Sequence, residues 1–445
     1  MATQPIQITV TCLPRPVVQA AQLSRARKSC LQGSRVVGTL GAVSATVAFD
    51  VGSLLDAGAA HLQQMLGPDY EIGPYHVAGA PQEPVLISED VFVDRLVSIR
   101  DIATGQFGVV LLEAKRDLKP VDARTQLAPR VRLMRQLMGD SASVLVISPW
   151  VSPRTREVLD EAGFGYLDFE GNVSFRLRRP VILLRKSGSA HNPNPTKRTQ
   201  GSIRGALAGR LARVLVDVQP PYRASELASV SNVSVAWASR VLDSLESQAL
   251  IRRVGQVIVE VDWAGLLRAR AAAVNLLKTN TTVPLVALAG VAQTLERLAE
   301  PENADNVAVT GSVAAQAVAP VAIGGQLMLY VRGGPREPQL LARRLRLLPT
   351  EHGADVVLLL PPNDGVFTRT RSVAGVPHVA LSQLALDCLS GNGRMPAEGE
   401  AVVEYMAKDE QRWRRPHLPD PHTTAGAAMD KTSLGGAGAA DRNEP

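Results

Sequence analysis

Asp94, Glu113 and Lys115 are the residues whose types and spacing best suit chemistry. Residues at i and i+2 of a β-strand share a face, so Glu113 and Lys115 project together if the run ending there is extended. An antiparallel neighbour opening near Asp94 brings a second carboxylate beside them. Two carboxylates on one sheet edge suit a hard cation such as Mg²⁺. A lysine beside them stabilises charge developing on a phosphate or orients an attacking water. The spacing is not rare, since Asp117 and Lys119 repeat it shortly after, and strand context alone favours Glu113. The alternative is an ordinary surface Glu–Lys pair at a strand end.

The elements that must hold these residues read as an α/β sheet with crossover helices. Residues 91–100 read as a strand with Asp94 near its start, and residues 107–113 as a near-continuous apolar strand of the buried kind. A helix follows over 121–138, then a strand over 143–147. Residues 152–162 read as a helix capped by Ser152-Pro153 and closed by Gly163. Short strands at 166–169 and 173–177 flank the turn Glu170-Gly171-Asn172. Over 91–177 this order resembles the PD-(D/E)XK superfamily, whose restriction-endonuclease-like core runs strand, strand, helix, strand. On that resemblance Asp94, Glu113 and Lys115 form the catalytic set, Asp94 and Glu113 hold Mg²⁺, and Gln126 on the following helix is an accessory. The sequence departs from the family pattern in having Val93 rather than Pro before Asp94. A nuclease-like fold that serves only as a scaffold is the other outcome open to such a domain.

A second group of residues suits recognition rather than catalysis. Within 222–262, Ser225 reads as the N-cap of a short helix ending at Ser229, with Leu227 and Ala228 inward. Val230-Ser231-Asn232-Val233 reads as a tight turn, and Asn tolerates the left-handed backbone such a turn needs. Ser234 would cap a second helix, whose Val235, Ala238, Val241, Leu242 and Leu245 recur at helical spacing. Its outer N-terminal face then carries Ser234, Ala236, Trp237, Ser239 and Arg240. Gly255 suits a hairpin turn, with Arg252 and Arg253 at its base. Helix, turn, helix and a two-stranded wing are the outline of a winged helix-turn-helix, which docks the start of its second helix in the DNA major groove. Arg240 there suits a guanine edge, the serines suit phosphates or bases, and the wing arginines suit phosphates. A helical hairpin that packs only on protein is the alternative.

Charge agrees with an anionic partner. Residues 171–216 contain no Asp or Glu, yet hold Arg176, Arg178, Arg179, Arg185, Lys186, Lys197, Arg198, Arg204, Arg210 and Arg213. A one-signed run just before such a module is the electrostatic footprint of phosphate binding, and Arg198 and Arg204 are its nearest members. The formal net charge is +6.

A chain of 445 residues exceeds one compact core. We divide it into an α/β domain over 1–186 with its nuclease-like core at 91–177, a linker at 187–200 rich in Pro, Asn and Ser, a winged helix-turn-helix over 201–270, a C-terminal α/β domain over 284–415 and a disordered tail over 416–445. Cys12, Cys30 and Cys388 are too few and too scattered for a disulfide framework or a zinc site, which favours a reducing cytoplasm. The start lacks the pattern of a signal peptide, and the weakly polar run at 36–49 is too short to span a bilayer, so no membrane partner is expected.

In the C-terminal part, residues 285–298 read as an amphipathic helix and 306–310 as a strand entering Thr310-Gly311-Ser312. That step resembles the Gly-Ser entry of nucleotidyltransferase-type folds, but no acidic pair follows at metal-binding spacing, so catalysis there is not expected. Strands at 326–331 and 355–360 and helices at 382–389 and from 395 to 406 complete it. The wing and this domain together, residues 201–415, are similar to AbiEi-type antitoxins and related regulators. That resemblance implies binding of double-stranded DNA and autoregulation of an operon. A regulator reading a palindromic or repeated site is expected to act as a homodimer at the nucleoid in the cytoplasm, and an antitoxin-like C-terminal domain would hold a protein partner. DNA binding itself needs no cofactor. Two main readings follow: a sequence-specific transcriptional regulator, or a Mg²⁺-dependent endonuclease targeted by the winged helix. An antitoxin-like protein that holds a partner is a third.

Overall fold

The computed structural model describes residues 50–75, 85–88, 91–127, 142–193 and 203–419. Arg198, Lys197, Cys12, Cys30 and most of the tail expected to be disordered lie outside the described residues. The chain forms two compact units, Met1–Thr196 and Lys197–Pro445. Both are mixed α/β, and among the described residues no helix is long and apolar enough to cross a membrane.

Unit 1 opens with helix α1 (Val51–Leu66), capped by the Asp50 carboxylate, which accepts from the Ser53 amide at 2.7 Å. Its strands are β1 (Tyr70–Pro74), β2 (Val85–Ser88), β3 (Val91–Val93), β4 (Arg95–Asp101), β5 (Phe107–Ala114), β6 (Ala142–Ser148), β7 (Gly165–Asp168), β8 (Val173–Leu177) and β9 (Ile182–Lys186). Helix α2 (Pro153–Ala162) crosses from β6 to β7. The seven-stranded sheet runs β1-β4-β5-β6-β7-β8-β9, and β2 pairs with β3 apart from it. The central neighbours β5, β6 and β7 are parallel, and the flanking pairs are antiparallel.

Central strands covered on both faces must be apolar on both, which explains the unbroken Val109-Val110-Leu111-Leu112 run. One face packs Leu54, Leu55 and Leu62 of α1 on Val110, Leu112, Leu145 and Ile147. The other packs Val158 and Leu159 of α2 on Val146 and Tyr166. Helix α2 begins where the Ser152 hydroxyl accepts from the Thr155 amide at 3.1 Å and ends where Gly163 turns left-handed at φ 76°.

Two expectations change here. The strand read over 91–100 is broken at Asp94, whose backbone bends between β3 and β4. The helix read over 121–138 appears as one α-helical turn (Pro120–Asp122) and a π-helical turn (Ala123–Leu127), and its remainder lies outside the described residues.

Unit 2 begins with α3 (Ala206–Asp217), followed by β10 (Tyr222–Arg223), α4 (Ala224–Val230), α5 (Val235–Ser247), β11 (Ile251–Val254), β12 (Val257–Val261) and α6 (Trp263–Ala273). A second sheet follows, with β13 (Thr281–Ala287), α7 (Gly290–Leu298), β14 (Val307–Thr310), α8 (Gly311–Gln316), β15 (Leu327–Val331), α9 (Glu337–Arg344), β16 (Leu347–Pro349), β17 (Val356–Leu360), β18 (Arg371–Val373), β19 (Val376–His378), α10 (Leu381–Leu389) and α11 (Met395–Lys408). The small sheet is β10-β12-β11 and the large one β16-β13-β17-β15-β14-β19-β18.

One continuous core runs from Leu211 of α3 through Leu242 of α5 and Leu358 of β17 to Trp413. Trp263 and Trp413 meet edge to face at 5.0 Å between centroids. Residues 285–298, read as one helix, split into the end of β13 and α7. Tertiary pairing overrides the helical pattern: β13 lies between β16 and β17, and Leu285 and Ala287 bury on one face at strand spacing.

Candidate functional site

The antiparallel pairing of β4 with β5 brings Asp94 to the end of β5, where its Oδ2 accepts from the Ala114 amide at 2.8 Å. Lys115 Nζ donates to Glu113 Oε1 at 2.9 Å, and the Glu113 side chain is 5% exposed against 31% for Lys115. All three residues therefore converge at the C-terminal end of one central strand. Gln126 is exposed on the π-helical turn, and its Nε2 donates to Asp122 Oδ1 at 3.2 Å.

Two carboxylates match the oxygen preference of Mg²⁺, which keeps several waters and needs few protein ligands. Among the described residues no group of three or more His, Cys, Asp or Glu comes together to hold a metal. Among the described residues the carboxylates at this end of β5 are Asp94 and Glu113.

The second cluster lies on α4, α5 and the β11–β12 hairpin. Helix α4 is capped at Arg223, not Ser225, because Glu226 Oε2 accepts from the Arg223 amide at 2.8 Å and so starts the helix earlier. Leu227 and Ala228 are buried, and Asn232 takes φ 50° in the turn. Ser234 Oγ accepts from the Trp237 amide at 3.3 Å, capping α5. Ala238, Val241, Leu242 and Leu245 bury the inner stripe. Val235 does not belong to that stripe: it is 55% exposed, since the turn at Asn232 presents the first residue of α5 outward.

Ser234, Ala236 and Arg240 are exposed, and Ser239 is half-buried. Trp237 leans partly against the core rather than standing free. Arg240 has no ion-pair or hydrogen-bond partner among the described residues. In the hairpin, Gly255 turns at φ 59°, and the Arg252 and Glu260 side chains pair at 2.9 Å while both stay well exposed. Arg253 is a correction. Its guanidinium lies 2.6 Å from Glu246 and 2.7 Å from Asp243, and its side chain is only 17% exposed. Two carboxylates on α5 consume its charge, so Arg253 ties the hairpin to the helix instead of facing solvent.

The basic run is divided between the two units. Arg176, Arg178, Arg179, Arg185 and Lys186 are exposed on and around the β8–β9 hairpin of unit 1, whereas Arg204, Arg210 and Arg213 belong to unit 2. Arg204 is exposed. Arg213 is spent internally, on Asp217 at 2.7 Å and Gln383 Oε1 at 2.6 Å.

Sequence reading missed a buried polar network beneath α10. Asp387 accepts from Thr310 Oγ1 at 2.7 Å, Tyr330 OH at 3.0 Å and Gln383 Nε2 at 2.7 Å. Burial pushes its carboxyl up to about 6. Ser312 Oγ donates to Glu398 at 2.6 Å. Both hydroxyls of the Thr310-Gly311-Ser312 step thus meet acidic residues from α10 and α11, which no local spacing reveals.

No protein-family model matches the chain, and no curated protein is similar to it at a significant level. Among solved structures, the "Structure of EndoMS-dsDNA2 complex" aligns in part, at 21% identity with a TM-score of 0.18, covering 29% of this chain and 49% of that one. The match thus spans about half the length of that protein. It is a weak, partial likeness to one chain of a DNA-bound endonuclease complex, and a score that low carries no inference about this chain.

Proposed function

We propose that residues 206–261 are a winged helix-turn-helix and that the protein is a sequence-specific DNA-binding transcriptional regulator. The observation that carries this reading is the outer face of α5. A Ser234-capped helix start, with exposed Val235, Ala236 and an Arg240 unpaired among the described residues, stands opposite a fully buried inner stripe. Arg240 reads a guanine edge, and Val235 contacts a thymine methyl. Arg252, Arg223 and Arg204 face phosphates, with the Arg252–Glu260 pair contributing little at its exposed position. Recognition of a two-fold site by a homodimer extends the same reading.

The test begins with duplexes selected by the wild-type protein from a random pool. Arg240→Ala is expected to weaken binding to the selected duplex about ten- to hundredfold, the effect of one good bidentate base contact, and to leave random duplexes nearly unchanged. Fluorescence anisotropy reads both. Identical curves for variant and wild type on both duplexes rule the assignment out.

A second reading is favoured by the convergence of Asp94, Glu113 and Lys115. Unit 1 would act as a nuclease in which Asp94 and Glu113 hold Mg²⁺, and the bound ion would supply Lewis-acid stabilisation of the phosphate. Lys115 would orient the attacking water. Glu113→Gln is then expected to abolish both Mg²⁺-dependent nicking of plasmid and calorimetric Mn²⁺ binding. Intact plasmid and no metal binding by the wild type would leave unit 1 a scaffold.

A further inference from the structure

A cavity of about 630 Å³ lies inside unit 2, walled by α3, the turn at Asn232 and α6 on one side and by α10 and β15 on the other. That volume is in the ordinary range of small-molecule sites. Val214, Leu266 and Leu386 make much of its lining apolar, while Gln383, Tyr330 and Asp387 stand at one end.

Two arginines on the helical wall are short of partners. Arg210 Nη2 donates to the Asn232 carbonyl at 3.1 Å, and its Nε is buried without any hydrogen-bond partner. Arg270 Nη1 donates to the Ile203 carbonyl, and its Nε is likewise buried and unpaired. Neither meets a carboxylate among the described residues. Burial pulls the Arg270 guanidinium below its usual range, as expected of a cation without a counter-charge. Arg270 crosses α3 at Gly209, where a β-carbon would stand 2.9 Å from its Nη2. A built cavity with an apolar body and two uncompensated guanidinium groups is half of an anion site.

We propose that this cavity binds a small organic carboxylate with an apolar body, its carboxylate held by Arg210 and Arg270. Side-on pairing with a guanidinium uses Nε together with Nη2. On Arg210, Nε is unpaired but closed off, and Nη2 holds the Asn232 carbonyl, so a carboxylate reaches the pair only when the guanidinium turns away from Asn232. The ligand therefore competes with the Asn232 carbonyl, loosens the turn that aims α5, and lowers DNA affinity. The coupling step rests on the DNA-binding reading above; the binding step does not.

The experiment titrates full-length protein with hexanoate, octanoate, decanoate and phenylacetate by calorimetry, with 1-octanol as the uncharged control. At least one acid is expected to bind saturably at one site, and the alcohol is not. Arg210→Gln and Arg270→Gln should each weaken that acid about tenfold, as loss of a charge-assisted pair does. Circular dichroism checks folding, and Arg210→Lys, which keeps the charge but lacks Nε, should also bind more weakly. Saturating acid should reduce affinity for the selected duplex at least about fivefold, the lower end of allosteric coupling. If no acid binds, or if all bind the arginine variants as they bind wild type, the site is overturned. Duplex binding indifferent to saturating acid overturns the coupling. Arginine-dependent acid binding by a protein that binds no duplex keeps the site and removes the DNA reading.

Discussion

Arg414→Ala is expected to destabilise unit 2 by about 2–5 kcal/mol, mainly because it strands two buried carbonyls. Arg414 is 7% exposed and lies across the C-terminal end of α3. Its Nε donates to the Val216 carbonyl at 3.0 Å and its Nη2 to the Val218 carbonyl at 2.8 Å, while Nη1 pairs with Glu410 Oε2 at 2.9 Å. A helix end has carbonyls with no partner inside the helix, and a cation placed there satisfies them and complements the helix dipole. The backbone reinforces this clamp: the Gln219 amide donates to the Arg415 carbonyl and the Arg415 amide to the Asp217 carbonyl, both at 2.8 Å.

Alanine removes the donors and leaves buried carbonyls unpaired, each costing about 1–3 kcal/mol. Arg414→Met keeps the apolar volume and should lose nearly as much, which separates hydrogen bonding from packing. Arg414→Lys should recover part, because one ammonium cannot reproduce the fork. Urea unfolding reads all three. A loss below about 1 kcal/mol for Arg414→Ala would mean that the clamp is ornamental.

The second large effect is a pair of opposed titrations. Burial raises Asp387 from 3.8 to about 6, so the fold favours its protonated form. Its contribution to stability is fully present below pH 3.8 and is lost as pH rises through about 6. Burial lowers His378 from 6.5 to about 4, although the Val376 carbonyl, 3.0 Å from Nδ1, partly opposes the shift. The fold therefore favours neutral His378. Its contribution is present above pH 6.5 and is lost as pH falls through about 4.

Each shift corresponds to about 3 kcal/mol, and the two act in opposite directions over the same window. The wild type should consequently show little net pH dependence from this pair. Asp387→Asn is expected to lose about 3 kcal/mol more than wild type does when the pH falls from 6.5 to 4, because His378 then acts unopposed. His378→Gln is expected to show the reverse difference. Parallel pH profiles for both variants and wild type would refute the opposition.

The helix α2, the strand β5 and the α4–turn–α5 segment were legible because their signals are local. Ser152, Asn232 and Ser234 act on backbone groups within a few residues, and a strand buried on both faces must be apolar throughout. The same locality explains the error at Val235, whose apolar type fits the helical stripe but whose place beside the turn puts it in solvent. It also explains Arg253, which looks free in sequence and is not. Asp243 and Glu246 reach it only when the hairpin folds back on α5.

The sequence by itself determined that the chain is α/β, that an apolar buried strand ends at Glu113 and Ala114, and that residues 222–262 hold two short helices and a hairpin. Tertiary structure alone decided which charges remain available. It neutralised Arg213 and Arg253, carried Asp94 to the end of β5, brought Asp387 to Thr310 and Tyr330, and left Arg210 and Arg270 facing a cavity without a counter-ion among the described residues. Helix caps and strand alternation act over a few residues and are written in local order. The partner of a charge is whatever the fold places a few ångströms away, and that neighbour is often more than a hundred residues distant, as Gln383 is from Arg213 and Arg414 is from Val216.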